Sequence, residues 1–204
     1  MTIYSISHSW WRIENWARDH DMAQELAPPA APEELAQVEE SLGLQLPPEI
    51  CELLRGHNGS GDFTLAPFYS ILGTAAILTQ WESKVDVYGQ GQWASYFPHY
   101  VPFASDGGGG VLYLEAGDPV DPRVRDHDKE GQSVSVTSHP MWQSITSLLH
   151  HTAEALESGE PVGRYLRPTE RSDFRQWRSV DDPEPPEERR IGRYGVPIDA
   201  VPGP

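Results

Sequence analysis

Three stretches of this chain run from a proline to a glycine: Pro32 to Gly43, Pro48 to Gly56 and Pro140 to Gly159. Proline has no amide hydrogen, which a helix interior needs, but it fits the first turn, where that hydrogen has no partner in any case. Glycine takes up the left-handed backbone that ends a helix. The brackets therefore predict three helices of ordinary length. Their apolar residues agree. Leu35, Val38 and Leu42 share one face, and so do Ile50, Leu53 and Leu54. Trp142, Ile145, Leu149, Thr152 and Leu156 follow one another at steps of three and four. A fourth amphipathic segment, SHSWWRIENWARDH, puts Trp10, Ile13 and Ala17 on one face with Trp16 beside them. Thr74 is placed to cap a fifth, which carries Ile77, Trp81 and Val85.

Between the helices the period changes to that of strands. HYVPFAS, VLYLE and SVSVT read as extended, and DFTLAPFYSIL as two short extended pieces broken at Pro67. YGQGQWASYF reads as an irregular loop. From about Arg164 onward the periodicity fails and prolines accumulate, so the chain divides into a domain over 1–163 and a largely extended tail over 164–204. Phe174 and Trp177 are the tail's exceptions, suited to docking its start on the domain, with a short helix near Asp173 to Arg178.

The chemical motifs reduce to structure. The four glycines from Gly107 to Gly110 lie between two strand-like runs, whereas a phosphate-binding loop leads into a helix. Asp106-Gly107 is a strong turn dipeptide, so the segment is read as a turn with Asp106 exposed at its tip. DHDKEGQSVSVT places Asp126, Asp128, Glu130 and Gly131 like the start of a calcium loop. Its twelfth position is Thr137 where a bidentate glutamate belongs, so it is read as a solvated loop. His57, His99, His127, His139, His150 and His151 are scattered without ligand spacing, and no metal or cofactor is expected. Cys51 lies on an apolar helix face and reads as a small packed residue. Glu33-Glu34 and Glu39-Glu40 read as solvated helix faces, and no acid–base pair or catalytic residue is singled out.

Charge is the strongest functional signal. The net charge is −16, yet the residues from Arg164 on hold eight arginines and eight acids, so the whole excess falls on the first 163 residues. Such a field repels nucleic acid and anionic lipid and attracts basic proteins; solubility alone is the competing explanation. With one cysteine, no intrachain disulfide is expected. No apolar run is long enough to span a bilayer and the start does not read as a secretory signal, so a soluble cytoplasmic location is expected.

Several pieces, in order, resemble the SUKH superfamily in its Smi/Knr branch. They are WRIENW with Trp16, and the run at 26–59 with its leucine–proline step at Pro47 and its Asn58-Gly59 turn. WASYFPHYVPFASDGGGGVLYLE follows, with Pro102, Gly107 and Gly109, and then the closing helix with Trp142. The resemblance covers about residues 4–160. The tail and the heavily charged GDPVDPRVRDHDKEG depart from the family pattern.

The resemblance implies an α+β fold, a single mostly antiparallel sheet packed by N-terminal and C-terminal helices. It also implies a non-enzymatic protein-binding role. Bacterial members are regarded as immunity proteins that bind and block a toxin domain, often a nuclease. The same branch includes a cell-wall assembly regulator, which implies as the alternative a regulatory or scaffold protein that binds a cellular protein. An acidic inhibitor suits a nuclease, whose active surface is basic. On expected exposure, the partner face is assigned to Asp106, Glu115, Asp118, Asp121, Asp126 and Asp128, with Tyr96 and Tyr100. A third reading, an enzyme acting on a phosphorylated small molecule through Asp106 and the glycine turn, is open to a nucleotide binding test.

Overall fold

The computed structural model describes residues 5–88, 99–117, 121–127, 137–138, 142–162, 165–166 and 177–181. Helix α1 (Ile6–Asp19) begins where the Ser5 side chain accepts from the His8 amide. It buries Trp10, Ile13, Trp16 and Ala17, the face expected from spacing. After a single 3₁₀ turn come α2 (Pro32–Leu42) and α3 (Pro48–Gly56), each with its proline at the first position. Gly43 ends α2 at φ +65°. Gly56 is the last residue of α3 and, unlike Gly43, is not left-handed; a Cβ there would run into the Trp10 ring, so it is the α1–α3 contact that requires glycine.

Strand β1 (Ser70–Ile71), α4 (Thr74–Tyr88), β2 (Tyr100–Ser105), β3 (Val111–Glu115), β4 (Asp121–His127) and β5 (Thr137–Ser138) follow. The strands form one five-stranded antiparallel sheet in sequential order. Helix α5 (Ile145–Ser158) packs against α1 and α3, while α2 packs on α4 and α4 on β2. The fold is thus the expected α+β sheet packed by helices. Both sheet faces are covered. Val101, Phe103, Leu112 and Leu114 join the main core with Trp10, Trp142 and the helices. Tyr100, Val111 and Tyr113 form a second small cluster, with Val85 of α4 against it.

Four local expectations need correction. Helix α5 begins at Ile145, not Pro140. The Ser144 side chain accepts from the Ser147 amide, and Trp142 is buried in the core from a non-helical position. Thr74 is the first residue of α4, and its amide is capped by Asn58 Oδ1 at 2.7 Å. Glu34 and Glu39 are structural: Glu34 accepts from the Ala31 amide (2.7 Å) and Glu39 from the Leu46 amide (2.9 Å). Arg178 lies in a strand, not a helix: β6 (Tyr165–Leu166) pairs antiparallel with β7 (Arg178–Ser179). Phe174 lies outside the described residues, but Trp177 docks on the domain, 4% exposed.

Candidate partner-binding groove

The glycine turn is a self-contained structure. Asp106 Oδ1 accepts from the amides of Gly108 and Gly110, both at 2.7 Å, and the Asp106 amide donates to Gly110 O at 3.1 Å. Gly107 and Gly109 have φ of +68° and +106°, where L side chains are strained. A glycine-rich loop that holds a phosphate must offer it amide hydrogens. Here two of those amides are engaged by the chain's own carboxylate, and β3 follows in place of a helix.

The turn forms one end of an open groove of about 720 Å³. Its floor and walls come from the 58–68 loop, β1 with the start of α4, and the tip of the β2–β3 hairpin, with Glu25 and Ala27 added from the 3₁₀ turn and its exit and Glu34 from α2. Four carboxylates line it, Glu25, Glu34, Asp62 and Asp106, and its lining among the described residues contains no lysine, arginine or histidine. Lys84 stands just outside; its ammonium donates to Gly109 O at 3.1 Å. Burial lowers the Lys84 pKa, against the opposing pull of Asp106. Phe68, 49% exposed, lines the groove from a left-handed backbone conformation (φ +69°). A bulky residue at that angle is uncommon, and here it presents an aromatic ring beside the acids.

Asn58 organises the groove's interior. Its Nδ2 donates to Glu34 Oε1 (3.3 Å) and to Thr74 Oγ1 (3.1 Å) while its Oδ1 caps α4. Gly59 and Gly73 sit back to back there, and a Cβ on Gly73 would strike Asn58 O. Asp62 is exposed and has no hydrogen-bond or ion-pair partner among the described residues. The outer edge of β1, which faces the groove, is already satisfied. Ser60 Oγ accepts from the Ile71 amide (2.9 Å) and the Ser60 amide donates to Ile71 O (3.1 Å). Ala66 and Tyr69 exchange backbone bonds with each other. A partner therefore meets side chains here, with no free strand edge to extend.

The residues assigned from sequence divide. Asp106 lies in the groove. Glu115 and Tyr100 face each other across the opposite end of the β2–β3 hairpin. Glu115 pairs there with Arg125 at 2.7 Å, and the guanidinium stands over the Tyr100 ring at 5.6 Å. Tyr100 is 8% exposed, which corrects the exposure on which its choice rested; it packs against Tyr113. Asp121 and Asp126 lie on β4, paired with Glu115 and Leu112 respectively. Asp126 also pairs with Thr137, so the stretch resembling a calcium loop joins two antiparallel strands. Asp118, Asp128 and Tyr96 lie outside the described residues. Glu25, Glu34, Asp62 and Phe68 were missed. Glu34 was read as a solvated helix acid, and nothing local to the other three brings them together.

A second cleft, of about 770 Å³, runs along the α1–α5 seam. Its one arginine and two of its glutamates are engaged in pairs along the seam. Arg12 makes a two-pronged contact with Glu157 (3.0 and 2.6 Å) and a third to His150 Nδ1 (3.3 Å), and His150 Nε2 faces Glu154 at 3.2 Å. That pattern closes a seam between helices and leaves the groove as the better recognition surface. Cys51 is half-buried, and burial raises its thiol pKa, so it is held away from the reactive thiolate. No cluster of metal-ligating residues occurs among the described residues, and none of the described helices is long and apolar enough to cross a membrane.

A family model described as the SMI1/KNR4 family (SUKH-1) matches residues 29–150. No curated protein matches the chain. The matched span runs from just before α2 into α5 and holds every groove residue except Glu25 and Ala27.

Proposed function

The chain belongs to the SMI1/KNR4 family (SUKH-1), and on that premise we propose that it is a protein-binding module, most simply an immunity protein that blocks a cationic toxin domain. The observation that carries the reading is the groove: four carboxylates, an exposed phenylalanine and no cationic lining residue among those described. It acts by occupying the partner's cationic face, with no bond-making step of its own. The charge of −16 adds long-range attraction, which raises encounter rates toward or above about 10⁷ M⁻¹ s⁻¹ and selects against anionic competitors.

Co-expression with the product of the neighbouring gene tests this. Rescue of growth from that product's toxicity is expected, with loss of rescue on Asp62→Lys. A neighbour that is neither toxic nor bound would rule the immunity role out. The regulatory-scaffold reading draws on a different feature, Arg189, Arg190 and Arg193, which lie beyond the acidic domain. Truncation after Asp181 separates the two readings. It abolishes capture by a scaffold that works through those arginines and leaves toxin neutralisation intact. Cutting at 165 would not, because it removes the buried Trp177 as well.

A further inference from the structure

The C-terminal extension lies beyond the family-matched span, yet it bonds the backbone of Thr64, which lines the groove. We propose that Trp177 is a positioning residue of the binding face, holding the 60–69 loop in the shape that presents Asp62 and Phe68. This rests on the groove being the docking surface.

The loop is held from two sides. On one, Trp16 of α1 stacks on Phe63 with rings 6.0 Å apart and 15° from parallel. On the other, the Trp177 indole Nε1 donates to Thr64 O at 2.8 Å. Thr64 itself lines the groove, two residues from Asp62 and four from Phe68. Trp177 belongs to the main core, and the β6–β7 pairing fixes the chain immediately after it. Within the loop, Ser60 Oγ donates to Phe63 O (2.7 Å) and the Ala66–Tyr69 bridge closes the tip that carries Phe68. Thr64 lies between these two closures, between the buried Phe63 and Leu65. Its carbonyl is the point at which the extension grips the loop. The indole N–H supplies a donor that the hydrocarbon ring of phenylalanine lacks.

Hydrogen exchange of the full chain, read by mass spectrometry beside binding of a nona-arginine peptide, tests the assignment. Trp177→Phe keeps an aromatic ring and removes the donor. It is expected to speed exchange over residues 60–72 by roughly ten-fold, with α1, α3 and α5 nearly unchanged, and to weaken peptide binding by roughly five-fold. Truncation after Asp181, which retains Trp177 and β7, is expected to alter neither. A rise spread evenly over the protein, or none at 60–72, would overturn the assignment, as would a local rise with unaltered peptide affinity. If the unmodified protein fails to bind the peptide, the docking reading falls, while the exchange pattern still decides whether Trp177 holds the loop.

Discussion

Asn58 shows how much one side chain does here. It caps α4, ties that cap to Glu34 of α2, and places its own carbonyl where Gly73 must have no side chain. Asn58→Ala removes the cap and a donor at once, and is expected to destabilise the fold by about 1–2 kcal/mol in urea denaturation. A loss under a few tenths would mean that water replaces the cap without penalty. From sequence, Asn58-Gly59 was legible as a turn because turn chemistry is local. The cap was not legible, because its partners lie 24 residues before and 16 after. Asp106 is the opposite case. Its acceptors and donors lie within four residues, and the turn was readable from the dipeptide alone.

Among elements, the α1–α5 seam is where pH should act. Arg12 can only donate, so its contact fixes His150 Nδ1 as an acceptor and leaves the proton on Nε2, toward Glu154. A second proton on the ring would face the guanidinium. Burial lowers the His150 pKa below its ordinary 6.5, assisted by Arg12, His151 and His8 and opposed by Glu154. A lowered folded pKa means that the unfolded chain binds the proton first. The contribution to stability is therefore complete above 6.5 and lost as pH falls through the folded value. Thermal melts from pH 7.5 to 5 should show this fall, and His150→Gln should flatten it; an unchanged slope in the variant would place the pH response elsewhere.

Glu49 of α3 acts with the opposite sign. Burial raises its pKa above 4.5, against hydrogen bonds from Thr146 and from the Ile145 amide, so its contribution falls as pH rises through the folded value. The helices themselves were readable from period and brackets. The start of α5 was not: Trp142 keeps the helical spacing and is buried, yet Ser144 and the distant Glu49 decide where the helix begins.

For the whole molecule, the claim is that a surplus of carboxylates is focused at one groove. Net charge was legible in the sequence; its focus was not, because the groove joins residues from Glu25 to Gly107 that only the fold assembles. At physiological salt the Debye length is about 8 Å, so attraction over the surface is screened while contacts inside the groove persist. Raising salt from 50 to 500 mM should slow association with a cationic partner far more than it speeds dissociation. Equal changes in both rates would argue against steering.

The most direct test is an amide NMR titration of the full chain with a nona-arginine peptide at 150 mM salt. The predicted shifts concentrate at Asp62, Ser70, Thr74 and Gly107 and disappear with Asp62→Lys. Shifts spread evenly over the acidic surface, or centred on Glu115 and Arg125, would contradict the account.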